Sequence, residues 1–531
     1  MALLLPAIIM ILALLAIRFS NRHGIPSLLL FFLLGIGFTT FGVEFHDFDL
    51  VEDVSTLALM VIMFYGGFGT NVKMGKPVLK QSIILSSLGV VFTAVATGLF
   101  AHYALGFPLI EGLLLGSVVG STDYASVSSI LQSKNLNLKY NTAPILELES
   151  GSNDPTAYTM TMIFLSLLLG GEISVPLLVA KQLFFAVGFG AGMGFIFVKI
   201  IQKIDFSQEG LFSVFVSAMA IATYALAVIF EGNGFLAIYL FGIIIGSYEY
   251  KGKRETVFFF DGLTEMMQIG LFFLLGLLSE IDLLIKAMPI ALIIMVVMTL
   301  VIRPLAVVLL MKPFGAKNNQ ILTLSLAGLR GAAAIAFAIM VINSRVRLTM
   351  DIYHIVFGIC ILSSLIQGSL MPSLVRKWDM LDPNDTVLKT FNYYQDKSDI
   401  GFIQTRIHND NLYGTKVKDL NLTFDFIVAK MIRNGKTIVP HGNTEILEGD
   451  IIIIGGETYF DSLGDELLEF TINPGNPWID KSIRDLGLTS SQLILMIQRG
   501  KEIVVPTGNT VIQEGDKVLY TKEKEELFSE I

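Results

Sequence analysis

The chain is short of what soluble proteins are usually built with. Charged residues fill 16% of its 531 positions, against roughly 25% in globular proteins, while hydrophobic residues reach 53%. A chain this apolar is not disordered. Its one cysteine, Cys360, sits in an apolar run, so no intrachain disulfide, zinc cage or cysteine cluster can form, and it reads as a packed thiol. No basic stripe is present, which disfavours a nucleic-acid partner. Nothing resembles a TVGYG filter, which argues against a gated cation channel. No set of nucleophile, base and orienter stands out, so the sequence does not read as an enzyme. No basic n-region or small-residue cleavage site precedes Arg18, so the first apolar stretch reads as a retained span.

What charge there is falls unevenly. Residues 1–380 hold 22 acids and 22 bases, and the last 151 residues carry 39 charged groups and the whole net charge of -9. The first region is membrane-like and the tail is not. A helix needs about 20 apolar residues to cross the hydrocarbon, because lipid satisfies no backbone groups. Thirteen such stretches can be placed, centred near Met10, Gly35, Val61, Ala94, Val119, Ser152, Gly188, Ala220, Gly242, Gly270, Met295, Ala332 and Leu362. Sixteen Lys and Arg, from Arg18 to Lys377, fall on one set of alternate loops, and four (Lys181, Lys286, Arg345 and Arg347) on the other. Bases collect on the cytoplasmic side. A multi-pass protein of the cell membrane is therefore expected, with its N-terminus outside and its tail inside. The glycines at 188, 190, 192 and 194 lack dinucleotide-loop spacing and read as close helix packing.

After Trp378 the hydropathy falls through a linker, 379–398, into alternating β-type segments. There MIRNGKTIVPHGNTEILEGD (431–450) returns as MIQRGKEIVVPTGNTVIQEGD (496–516), mostly 66 residues later, with a one-residue slip near the turn. Two copies of a unit of about 65 residues are present. Hairpin turns are expected at Asn434-Gly435 and Arg499-Gly500. The domains read as 1–378 in the membrane, 399–468 as a first tail unit and 469–531 as a second.

Ionisable groups inside a span cost roughly 2.5–3.5 kcal/mol each on insertion scales, so each calls for a partner or a task. Those present are Asp123, Glu147, Glu149, Asp154, Asp261, Glu265, Arg303 and Arg330. In the sixth span, Glu149, Ser150, Asn153 and Asp154 fall within an arc of about 140° at helical spacing. Carboxylates, a hydroxyl and an amide oxygen make a hard site suited to an alkali cation or a hydronium. Pro155 removes one backbone donor beside them. In the fifth span, Gly116, Gly120, Ser121 and Thr122 precede Asp123 and favour a broken helix; GLRGA from Gly328 is a second weak point. Two such breaks fit the crossed helices of an inverted-repeat transporter. The expected fold is a membrane all-α bundle of about 13 transmembrane helices with inverted repeats and two crossed discontinuous helices, followed by a cytoplasmic α+β tail. A carboxylate that holds a proton or a cation, but not both, couples opposite fluxes once access alternates. Asp154 is the candidate carrier. Arg330 would offset buried charge, with Glu149 or Asp123 as its partner, and Arg303 reads as structural or interfacial, or else as a partner for Glu147, Asp261 or Glu265.

Four motifs carry a resemblance: GSTD at 120–123, ESGSNDP at 149–155, IRPLAV at 302–307 and GLRGA at 328–332. In that order they resemble the NhaP-type branch of the monovalent cation:proton antiporters, over residues 1 to about 378. The resemblance implies that Asp154 carries the ion and the proton, with Asn153, Glu149, Ser150, Thr122 and Asp123 around it. Asp154, Glu149, Ser150 and Thr122 would then hold the transported cation. Tyr124 departs from the Pro or Ala that many members carry after Thr-Asp. The resemblance also implies a homodimer, an elevator-like movement of a core domain and electroneutral exchange. The tail resembles regulatory RCK_C or TrkA-C domains, which associates it with K⁺, with Na⁺ as the alternative, and with a regulatory nucleotide such as cyclic di-AMP. No Rossmann half precedes either copy, and no other cofactor is expected. The resulting reading is a K⁺(Na⁺)/H⁺ antiporter with a regulatory tail. Its rivals are a ligand-gated monovalent cation channel and a non-transporting membrane sensor.

Overall fold

The computed structural model describes residues 4–23, 27–40, 47–70, 75–134, 136–171, 174–201, 209–248, 250, 252–382, 400–406, 413–419, 427–433, 436–457, 467–472, 474, 476–486, 488, 492–499, 502–504 and 506–522. Outside them lie most of the expected linker, the turn positions 434–435 and 500–501, and the Tyr124 side chain. Two units divide near residue 394.

The membrane unit is a helical bundle. Its helices are α1 (Leu4–His23), α2 (Ser27–Thr40), α3 (Phe48–Gly69), α4 (Lys76–Leu105), α5 (Leu109–Val118), α6 (Tyr124–Ser133), α7 (Thr142–Leu168), α8 (Val175–Ile201), α9 (Glu209–Ile229), α10 (Gly234–Gly246) and α11 (Lys253–Leu278). They continue with α12 (Ile281–Phe314), α13 (Asn318–Leu326), α14 (Ala332–Asn343) and α15 (Ile352–Lys377). Among the described residues six helices are long and apolar enough to cross a membrane, and shorter apolar helices accompany them. Both expected breaks are present. One separates α5 from α6 and the other α13 from α14.

Local chemistry sets the ends. Asp47 and Asn233 cap α3 and α10 by accepting from backbone N–H groups of Leu50 and Leu236, each at 3.0 Å, which satisfies donors that a helix start leaves open. The α4–α5 contact depends on Gly116, where a Cβ would lie 2.1 Å from the Ala94 carbonyl. In α8 only two of the four alternating glycines pack: a Cβ at Gly190 or Gly194 would collide with α10, whereas Gly188 and Gly192 meet nothing. Among the described residues three π-helical turns interrupt the long helices, at Leu85–Gly89, Met298–Ile302 and Ser363–Gly368. Such turns are frequent at functional sites.

The first four residues of the expected linker, 379–382, are bonded to the membrane unit. Leu381 pairs with Leu138 in an antiparallel bridge, Lys139 donates its backbone N–H to Met380 O at 2.8 Å and Asp382 donates to Asn137 O at 2.9 Å. Lys139 Nζ also meets Asp379 Oδ2 at 2.9 Å. The segment leaving α15 is thus bonded to the loop between α6 and α7.

Among the described residues the tail forms two four-stranded antiparallel sheets. The first holds β1 (Ile400–Arg406), β2 (Ile427–Arg433), β3 (Lys436–Ile438) and β4 (Ile451–Glu457), and the second β5 (Leu467–Thr471), β6 (Gln492–Arg499), β7 (Glu502–Val504) and β8 (Lys517–Lys522). Their orders match, β1-β4-β2-β3 and β5-β8-β6-β7. Because β5 pairs with β8, the second unit starts no later than Leu467, so the boundary expected at 468/469 cuts a strand. Core positions Val428, Met431, Ile446 and Ile452 correspond to Ile494, Ile497, Ile512 and Val518. The one-residue slip therefore has no counterpart in the fold. Arg499 pairs with Glu502 as Arg433 pairs with Lys436, so Arg499 ends a strand instead of opening the turn. The reason is its side chain, which makes a two-point ion pair with the buried Asp516 at 2.8 and 2.7 Å, as Arg433 does with Asp450 at 2.8 and 2.6 Å.

Candidate ion site

The two breaks touch. Asp123 N–H donates to Leu329 O at 2.9 Å, and Arg330 donates to the carbonyls of Gly120 at 2.9 Å and Ser121 at 2.6 Å. Those carbonyls close the negative end of α5, where a guanidinium is favourable. Asp123 sits at the opposite pole. Its carboxylate caps α6, accepting from Ser126 Oγ at 2.6 Å and Ser126 N–H at 3.5 Å, and it lies against the start of α14. A Cβ at Gly331 would come within 2.3 Å of that carboxylate, so glycine permits the approach.

The sixth-span face divides between two neighbours. Ser150 Oγ donates to Thr122 O at 2.5 Å, and Asn153 Nδ2 to Thr122 Oγ1 at 2.5 Å. Asp154 accepts from Ser121 Oγ. Glu149, at one edge, turns instead to Arg303, with Oε1 and the guanidinium 2.5 Å apart and side chains 1% and 3% exposed. This corrects two expectations: Glu149 is paired by Arg303 and not by Arg330, and Arg303 does not serve Asp261, which accepts from Tyr65 at 2.8 Å. A buried guanidinium needs a carboxylate that can be buried with it, and α12 brings Arg303 to Glu149.

The outcome is an inventory of oxygens. Asp154 is buried, and among the described residues no basic side chain is paired with it. Glu149 Oε2 and Asn153 Oδ1 have no hydrogen-bond partner among the described residues. Buried acceptors without donors call for an ion or water, and one carboxylate beside neutral oxygens suits a hard monovalent cation. Among the described residues no three His, Cys, Asp or Glu side chains converge as a metal cluster. Sequence reasoning missed Ser121, which directly precedes the Thr-Asp it singled out, and the pairing of Arg303. A mid-span arginine signals that it needs an acid, but not which.

A helical bundle, crossed breaks and a buried acid with no base against it among the described residues fit a secondary transporter. The chain belongs to the sodium/hydrogen exchanger, transmembrane family, whose model matches residues 8–377, and TrkA-C domain models match 404–458 and 467–520. It is a secondary active cation/proton antiporter with a TrkA-C tail. It is similar to the K(+)/H(+) antiporter NhaP of Alkalimonas amylolytica, 34% identical over 72% of this chain and 67% of that one. It is 31% identical to the K(+)/H(+) antiporter NhaP2 of Shewanella sp. (strain ANA-3), over 82% of this chain and 78% of that one. Its fold matches the sodium proton antiporter MjNhaP1 from Methanocaldococcus jannaschii with a TM-score of 0.62 at 21% identity, covering 68% of this chain and 97% of that one.

Proposed function

We propose that the chain exchanges K⁺ for H⁺ across the cell membrane, with Na⁺ as a second substrate, and that Asp154 carries either ion. One observation carries this reading: Asp154 is buried and held by a hydroxyl, with no base against it among the described residues. Glu149 is neutralised by Arg303. Arg330 and Asp123 each offset helix ends. Among Asp154, Glu149, Asp123, Arg303 and Arg330 the charge left to balance is one, which a single cation or a single proton supplies. Asn153, Thr122, Ser150 and the second oxygen of Glu149 complete the cation's shell, and Asp123 and Arg330 hold the breaks in place.

The naming of the relatives as K(+)/H(+) antiporters favours K⁺. The loop charges favour thirteen spans with the N-terminus outside and the tail cytoplasmic. An inverted repeat, a homodimer and elevator-like movement fit this reading, as does a division into a membrane domain to 382, a linker from 383, and tail units from 399 and 467. Cyclic di-AMP is the tail ligand to test first. The test is flux: acid-loaded proteoliposomes should release protons on addition of K⁺, and at higher concentration on addition of Na⁺. Proton release that needs no cation, or unitary currents far above transporter turnover, would reject exchange.

A further inference from the structure

Ser121 meets Asp154, and 209 residues further on (121 to 330, 154 to 363) Arg330 meets Ser363, its backbone N–H donating to Ser363 Oγ at 3.2 Å. The π-helical turns at 85–89 and 298–302 are spaced similarly. A second polar pocket therefore answers the first. Where the first keeps an acid, the second is lined by Arg303, Thr299, Ser325, Ser363 and Gln367, around a small cavity.

Two atoms there are left over. Gln367 and Arg303 are 4% and 3% exposed, and neither Gln367 Oε1 nor Arg303 Nε has a partner among the described residues. The amide's orientation is fixed by chemistry. Thr299 Oγ1 spends its proton on Met295 O at 2.8 Å, so it can only accept, and it accepts from Gln367 Nε2. One donor and one acceptor therefore face the same cavity. A water accepting from Arg303 Nε and donating to Gln367 Oε1 satisfies both, and Ser325 Oγ, which gives its proton to Ile321 O at 2.7 Å, can accept the water's other hydrogen. Three bonds are what a buried water usually makes.

We propose that this pocket binds one water, and that Gln367 is a positioning residue of the exchange site. Through Thr299 the amide ties together the π-helical turns of α12 and α15, and through the water it holds the Arg303 guanidinium on Glu149. Arg303 then neutralises Glu149 and leaves Asp154 to the transported ion. The role rests on the reading of Asp154 as carrier; the water does not.

The two parts separate in experiment. A structure of the full chain at a resolution that shows waters should contain one density peak within hydrogen-bond distance of both Arg303 Nε and Gln367 Oε1; an empty pocket overturns the water. In proteoliposomes Gln367→Leu should raise the cation KM about five- to tenfold, the weight of one or two buried hydrogen bonds, with kcat within about twofold. Thr299→Val should move KM in the same direction by less. A fall in kcat at unchanged KM would reduce Gln367 to general packing and overturn the positioning role. Cation-induced thermal stabilisation, measured without flux, should weaken in parallel. Exchange that survives Asp154→Asn sinks the carrier reading, whatever the pocket contains.

Discussion

In the tail, Asp450 and Asp516 are fully buried, and each meets a two-point guanidinium and a backbone N–H at 2.9 Å, from Leu447 or Gln513. In the membrane unit Asp154 is buried too, yet its partner is the hydroxyl of Ser121. These two tail carboxylates are satisfied by resident groups and serve the fold. Among the described residues Asp154 has no base set against it, which the proposed carrier role requires, because an exchanged ion must be able to leave. Glu149 shows that the membrane unit can also set a base against an acid, since Arg303 meets its Oε1 while Oε2 stays open among the described residues.

The widest effect on stability should come from breaking that membrane pair. Arg303→Ala strands Glu149 in the core and should cost about 3–5 kcal/mol, whereas replacing both partners together, as Arg303→Met with Glu149→Leu, should cost much less. Thermal unfolding in detergent measures both. If the single change is tolerated as well as the double, the acids of the two regions are not distinguished by pairing.

The tail gives a smaller version of the same test. Arg499→Ala should destabilise the second sheet by about 2 kcal/mol, discounted because the arginine is partly exposed, read from Trp478 fluorescence with Trp378 changed to Phe. Arg433 and Arg499 hold the Asp450 and Asp516 carboxyls below the usual Asp value against the opposing effect of burial. A depressed value in the folded state means the stabilisation is complete above about pH 4 and fades as pH falls through the lower folded values. The sheet should keep this contribution at pH 5 and lose it only in stronger acid, and Asp516→Asn should remove that acid dependence.

Ser121→Ala sharpens the other side. Removing the hydroxyl that donates to Asp154 should raise the apparent KM for the cation about fivefold, the worth of one hydrogen bond, in the proteoliposome assay. The least effect is expected from Lys139→Ala. Its contact with Asp379 is solvent-exposed and worth less than about 1 kcal/mol, and the backbone bonds of 137–139 to 380–382 remain; a large fall in melting temperature would show that the side chain and not the backbone ties this segment down.

Much of this was legible in the sequence because its signals were local. Apolar length marked the helices, the small-residue runs before Asp123 and at Gly328 marked both breaks, and the duplicated tail disclosed its repeat. What was not legible depended on contacts between distant segments. Nothing in VIRPLAV says that Arg303 faces Glu149, and nothing in GLRGA says that Arg330 faces backbone carbonyls. The tail slip came from matching letters: Met431 aligns with Met496 by identity, but the β2 and β6 registers make Ile497 its counterpart. Ser121 was hidden by its neighbours, since a serine before Thr-Asp looks like another helix breaker until α7 is packed against it.

The most direct test is cation-driven proton release from proteoliposomes carrying Asp154→Asn beside the unaltered chain, with both proteins shown to fold equally well. An amide cannot trade a proton for a metal ion, so release should disappear while stability is kept or rises, because a buried charge without a resident partner is gone. Release at the normal rate from the Asn variant would contradict the assignment of Asp154 as the carrier.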